Sequence, residues 1–343
     1  MRLSKILVAA ATLAACWPAA AQDAFMGDWS GSLKIEGKPD QPVAIYMIPL
    51  GNGRYEARWF GEFNKRVPML YKLNGNIGGE QFALLDAVSF EPGNVLRATD
   101  DGVVVNAALW KGALKDGAVS GSVAGSRKGS FEIKQTVRKS PTLEAEAPQD
   151  GTVLFDGKNL DAWCPVGKPD QKAPWKLLDG GVVEVNGGDI MTREKFNNYK
   201  LHIEFRLPYM PFAFGQGRAN SGVYQVGRYE VQVLDSYGLD GADNECGGIY
   251  QIARPDANMC FPPLTWQTYD ITFTNAKLND QGQKTANARL TVVHNGVTIH
   301  NNIELPKVTG GALDDREGQP GPIKLQDHGN PVQYRNIWIE KLP

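Results

Sequence analysis

Cysteine and histidine are scarce, four of each in the whole chain. The cysteines form no Cys-x-x-Cys pair and no close histidine pair accompanies them, which argues against a structural zinc site. Charge of one sign is also missing. The formal net charge is −2, so nothing points to nucleic acid or an anionic membrane as the main partner. Beyond the first residues no apolar run is long enough to span a bilayer, so no transmembrane segment is expected. Helical periodicity is almost absent as well. What the chain has instead is 38 Gly and 21 Pro, a turn-rich composition that suits an all-β protein. Its 343 residues, 42% hydrophobic and 22% charged, are enough for two ordinary globular domains.

The amino terminus reads as an address. Arg2 and Lys5 precede the apolar run Ile6 to Ala15, followed by small residues, as in a secretory signal occupying residues 1–21. Ala19-Ala20-Ala21 fits ordinary signal peptidase. Leu13-Ala14-Ala15-Cys16 also fits a bacterial lipobox, which would leave Cys16 lipidated; the bulky Trp17 favours the soluble form. The protein is therefore expected in the periplasm or outside the cell, where disulfides are permitted. A bridge between Cys246 and Cys260 would close a ring of about 15 residues, worth roughly 3 kcal/mol. Cys164 is then left over as a buried thiol.

From residue 25 to 139 the pattern is short alternating strands. Arg54, Glu56 and Arg58 alternate with Tyr55, Ala57 and Trp59, and Phe131, Ile133 and Gln135 alternate with Glu132, Lys134 and Thr136. Gly51-Asn52-Gly53 and Asn74-Gly75 are read as turns between such strands. This is a compact antiparallel, barrel-like accessory domain. Residues 140–150, with two prolines and three acids, read as a linker. Residues 151–343 continue as strands. Leu201, Ile203, Phe205 and Leu207 oppose His202, Glu204 and Arg206, and His294-Asn295-Gly296 marks a hairpin. The expected architecture of this half is a two-sheet jelly-roll β-sandwich.

The stretch Asn220 to Gly238 holds the densest candidate chemistry. Gly222 to Val226 and Tyr229 to Leu234 read as two strands around a Gly-Arg pivot. Next-but-one residues share a face, so Glu230 and Gln232 project together while Val231 and Val233 enter a core. A solvated outer face is the simpler reading. The surrounding Asn220, Tyr224, Arg218 and glycines favour a surface that holds a polyhydroxylated ligand. Further on, Lys324, Gln326 and His328 share a face, with Arg335 beyond them. His328 is either a strand-end histidine bonded to backbone or a catalytic group. Arg206, Arg218 and Arg335 either bind ligand or neutralise carboxylates such as Glu204 and Glu230. The run Asp235 to Glu245 is rich in oxygen ligands without EF-hand spacing, and is read as a solvated acidic loop.

Phe155-Asp156-Gly157-Lys158-Asn159-Leu160, the Asn220 to Gly238 stretch, Gly247-Gly248-Ile249-Tyr250, Trp266-Gln267-Thr268-Tyr269-Asp270-Ile271, and Leu325-Gln326-Asp327-His328-Gly329 with Arg335-Asn336-Ile337-Trp338-Ile339 resemble, in order, the 3-keto-disaccharide hydrolase family. The likeness covers residues 151–343, and the front half is similar to the front domain of planctomycete members. It implies a concanavalin A-like sandwich acting on a small carbohydrate, a glycoside already oxidised at C3. A sugar 3-dehydrogenase would then have to act first. A ketone at C3 acidifies the C2 proton, so a base can form an enediolate and the aglycone leaves from C1. Water then adds back. This needs a general base near neutral pKa, donors or a cation at the oxyanion, and hydrogen bonds to hydroxyls. The candidate bases are Glu230 and His328. Gln232 and Asn220, with Tyr224 and Gln326, are candidates for hydroxyl binding, and Arg206, Arg218 or Arg335 for the enolate. No cofactor is required, although a divalent metal would serve as electrophile in place of an arginine. Two rivals are a retaining β-glucanase, which needs two carboxylates about 5–5.5 Å apart, and a sugar-binding module without catalysis. Gln232 at the middle position and Asp235 on the opposite parity count against the first.

Overall fold

The computed structural model describes residues 23–78, 81–86, 98–99, 102–103 and 108–343. The signal-segment and lipobox readings at residues 1–21 lie outside the described residues. The chain is all-β, and no α-helix occurs among the described residues.

Eight antiparallel strands close into a barrel. In order around it they are Gly27–Ile35, Gly129–Thr136, Ala118–Gly125, Ala108–Lys115, Gln81–Asp86, Tyr71–Gly78, Arg54–Phe60 and Gln41–Pro49. An eight-stranded barrel is just wide enough for side chains to fill. Here Trp29, Trp59 and Trp110 are fully buried, with the Trp59 and Trp110 ring centroids 4.8 Å apart. The barrel is thus a packed core. Gly51, Asn52 and Gly53 take φ of 77°, 53° and 70°, the left-handed turn expected there. Asn74-Gly75 is a correction. Both residues lie within the Tyr71–Gly78 strand, and Gly75 is needed because a Cβ there would fall 2.3 Å from the Ala83 carbonyl.

The second half is a sandwich. One sheet has eight strands, with Gln333–Leu342, Asn198–Arg206, Trp266–Thr274 and Ala288–His294 adjacent at its centre. The other has five, in the order Trp163–Pro165, Ile190–Thr192, Lys324–Leu325, Ser221–Gln225 and Tyr229–Val233. Leu201, Ile203, Phe205, Ile271 and Ile339 of the larger sheet join Val223, Val231, Val233 and Leu325 of the smaller in one buried cluster. Tyrosine hydroxyls pin the layers: Tyr334 donates to Ser221 Oγ (2.7 Å) and Tyr269 to the Gln232 carbonyl (2.7 Å). At the hairpin, Asn295 and Gly296 take φ of 50° and 81°, the geometry that favours Asn-Gly.

Barrel and sandwich are joined by a buried polar knot. Arg138 holds the Asp28 carboxylate through two bonds of 2.7 and 2.9 Å, and Tyr237 donates to it at 2.8 Å. Arg66 adds four bonds to the carbonyls of Asp240, Gly241, Pro255 and Asp256. Residues 140–145 lie along the outer face of the larger sheet. Ser140 meets Thr268 (2.6 Å), Thr142 donates to Asp270 (2.6 Å), and Trp338 donates to the Ala145 carbonyl (3.0 Å). That strap is why His202 and Glu204, which point away from the core, are buried.

Two loop expectations are corrected. Cys246 and Cys260 are free buried thiols, as is Cys164. The Cys246 sulfur meets the Tyr269 hydroxyl at 3.2 Å, and Cys260 meets the Leu234 carbonyl at 3.6 Å. The loop between them is closed by hydrogen bonds. Gln232 and Gly248 or Gly247 exchange backbone bonds of 2.9 Å, and Asn258 donates to the carbonyls of Ser236 and Leu239 at 2.7 and 2.9 Å. Nor is the run after Leu234 a solvated acidic loop throughout. Asp235, Ser236 and Tyr237 are buried because they form the floor against the barrel and bind Arg218 and Asp28.

Candidate active site

The strands Ser221–Gln225 and Tyr229–Val233 pair so that Gly222 lies opposite Gln232 and Tyr224 opposite Glu230. Tyr224 in turn pairs with Lys324 of the next strand. Alternation sends Val223, Val231, Val233 and Leu325 into the core, so Tyr224, Glu230, Gln232 and Lys324 share the sheet's other face. All four are nonetheless buried, because the loops at residues 216–220, 309–311 and 189 fold over them. Tyr224 donates to the Gly310 carbonyl (2.9 Å), Lys324 Nζ to the Gly311 carbonyl (2.7 Å), and the Glu230 amide to Thr309 Oγ1 (2.9 Å).

Burial holds the Glu230 carboxyl up at about 7, against the downward pull of the Tyr224 hydroxyl and the Lys324 ammonium; the Asp189 carboxylate adds to the rise. Lys324 Nζ sits 3.0 Å from Asp189 Oδ2 and 3.7 Å from the centre of the Tyr224 ring. Beside the carboxyl runs a line of amides. Gln232 Nε2 donates to Asn220 Oδ1 (3.0 Å), and Asn220 Nδ2 to the Gln216 carbonyl (2.8 Å). Gln326 Nε2 approaches the Tyr224 hydroxyl at 3.4 Å, while its Oε1 is buried without a partner. An acceptor left so costs free energy unless a donor arrives. A cation, a phenol, several amides and one carboxyl close to neutral therefore converge on one polar face. Such a set can remove a proton and stabilise the charge that results.

Gly222 makes room for the carboxyl. A Cβ there would fall 2.1 Å from Glu230 Oε1. Gly222→Ala is expected to displace the carboxyl and to lower any Glu230-dependent turnover by at least about tenfold, the scale of a 1.4 kcal/mol change. Stability should change little, since the atom displaced is the tip of a flexible side chain. Parallel turnover and urea-denaturation measurements check this.

Residues 150–340, more than half of the chain, match the model of the 3-keto-alpha-glucoside-1,2-lyase-like domain. The chain belongs to this family. A solved protein from Parabacteroides distasonis, described as a proposed glycosyl hydrolase, is 39% identical, with a TM-score of 0.52. That similarity covers 57% of this chain and 85% of that one. The 3-keto-disaccharide hydrolase of Bacteroides thetaiotaomicron is 26% identical over 125 residues, spanning 33% of this chain and 39% of that relative's length. The chain thus covers well under two thirds of that relative.

Within this family member, Tyr224, Glu230, Gln232, Asn220 and Gln326 come together, and Arg206 and Arg335 do not join them. His328 is exposed, two residues beyond Gln326 and just before the bend at Gly329 and Asn330. Arg206 and Arg335 lie on the outer face of the larger sheet, across the hydrocarbon core from Glu230. There Arg206 binds Gln333 (2.9 Å), Arg335 binds Glu204 (2.8 Å), and both guanidinium groups lie over the Trp266 ring. Arg218 Nε is paired with Asp235 at 2.6 Å, both side chains buried, while its Nη2 is buried without a partner. Three participants had not been singled out as site residues: Lys324, Asp189 and Gln216. The alternation Lys324–Gln326 is the signal that finds the first; the other two come from loops with no period. No group of three or more His, Cys, Asp or Glu arranged to hold a metal occurs among the described residues.

Proposed function

We propose that the protein cleaves 3-keto-glycosides, with Glu230 as the base that takes the C2 proton. The observation that carries this reading is a buried carboxyl held at about 7, beside a phenol and an ammonium on one face. The deprotonated carboxylate accepts H2, and the C2–H electron pair forms an enolate with C3 and its oxygen. The enolate collapses to expel the aglycone from C1, which departs with a proton, leaving a C1–C2 double bond conjugated to the C3 ketone. Addition of water across it completes net hydrolysis. In this scheme Lys324 and the Tyr224 hydroxyl face the oxyanion, while Gln232, Asn220 and Gln326 hold hydroxyls. The 3-keto substrate has to come from a prior oxidation at C3. Residues 1–21 support an exported location, checked by fractionating cells for the mature chain.

Against the retaining-glucanase alternative, Asp235 is engaged by Arg218 and offers no second free carboxylate along this strand. Incubation with a glycoside before and after C3 oxidation tests the proposal. Cleavage of the oxidised form alone is expected; cleavage of the plain glycoside, or binding without release, would sink it. As the base must be deprotonated, kcat/KM is expected to rise with pH up to about 7 and then level off. His328→Ala should keep activity within a few-fold of the wild type, because that side chain is exposed. A much larger loss would return the base to His328.

A further inference from the structure

The loop 208–217 carries an aromatic ring that nothing in the fold accounts for. Phe214 is 65% exposed, the most exposed large apolar side chain of the sandwich. It caps the single turn Gly215–Gly217, its carbonyl accepting from the Gly217 amide at 3.1 Å. Two residues on, Gln216 Oε1 accepts from Asn220 Nδ2 (3.2 Å) and Gln232 Nε2 (3.4 Å). The loop is therefore tied to the face that holds Glu230, and Phe214 stands at its rim.

The barrel fixes the same loop from the other side. Tyr209 donates to Asp23 Oδ2 at 3.2 Å. The Phe212 ring packs on Gly51, where a Cβ would fall 2.2 Å from ring atom Cε1. Gly51 takes φ 77°, so the backbone there is closed to other residues twice over. The polar face supplies hydrogen bonds for one oxidised sugar. Whatever leaves from its C1 must project past that face. An exposed apolar ring on that loop suits the C–H face of a pyranose or an aryl group.

We infer that Phe214 is the platform for a ring-shaped leaving group, a second sugar or an aryl aglycone, and that the amino-terminal barrel holds it in place. This rests on the 3-keto-glycosidase reading for the identity of the first sugar. It gives the barrel a part in substrate selection. Phe214→Ala is expected to lower the preference for glucosyl or phenyl over methyl leaving groups, measured as the ratio of kcat/KM values on the 3-keto-glycosides. The expected fall is roughly 3- to 10-fold, the scale of one aromatic contact. It should appear mainly in KM. Phe212→Ala, which unclamps the loop, should move the ratio in the same direction. An unchanged ratio in both variants overturns the inference. Should the wild-type protein cleave no 3-keto-glycoside, the activity reading fails by itself. Titration of phenyl glucoside into the wild-type and Phe214→Ala proteins, followed by NMR, then decides the platform. Weaker binding to the variant supports it; equal binding, or none to either protein, refutes it.

Discussion

Glu230→Gln is expected to lower turnover of a 3-keto-glycoside by about 10²–10⁴-fold, the contribution typical of a positioned general base, while making the protein more stable above neutral pH. Both effects have one cause. Burial raises this carboxyl from 4.5 to about 7, so from pH 4.5 to 7 the folded state binds a proton that the unfolded state has released. Wild-type stability must then fall as pH rises through that window. The amide variant escapes the fall. Its advantage should be near zero at pH 4.5, grow up to pH 7, and level off at no more than about 3 kcal/mol. Denaturant titrations at pH 5 and pH 8 measure the gap. A variant that is inactive and whose advantage over the wild type is no larger at pH 8 than at pH 5 would show that Glu230 is not held protonated by its surroundings.

Arg138→Leu should be the most damaging substitution away from the active site. It leaves Asp28, whose side chain is 2% exposed, with the Tyr237 hydroxyl as its remaining donor from the knot. It also removes the cation over the rings of Tyr46, Phe63 and Phe261. Breaking a buried pair by deleting one partner costs about 3–5 kcal/mol. Because Phe261 and Tyr237 belong to the sandwich, the loss should fall on the junction, and barrel and sandwich should begin to unfold separately. Differential scanning calorimetry checks this, since one transition should become two. A shift below about 1 kcal/mol would mean that the barrel is held mainly by other contacts. Removing both charges together, Asp28→Leu with Arg138→Leu, should recover part of the loss.

Period-two alternation made much of this fold legible. It put Val231 and Val233 inside and Glu230 and Gln232 together on the other face, and Asn295-Gly296 marked its hairpin because only such residues accept positive φ there. The same rule misled elsewhere. Alternation says which face of a strand a residue occupies and not which sheet the strand joins. Arg206 and Arg335 thus had the right parity and the wrong layer. Asn74-Gly75 has the composition of a turn, yet Gly75 is there for close approach to a neighbouring strand. Asp189 and Gln216 reach the site from irregular loops, where only tertiary packing decides direction. Glu230 itself was readable as a candidate. Its raised pKa was not, since that depends on loops distant in sequence closing over it.

Running the cleavage in D2O and examining C2 of the released 3-keto sugar bears most directly on the chemistry. If a carboxylate strips H2 before C1 departs, the recovered sugar carries deuterium at C2, beyond what an enzyme-free control acquires. Release of a sugar that retains its original hydrogen there, in step with cleavage, would mean that the glycosidic bond breaks without the enolate.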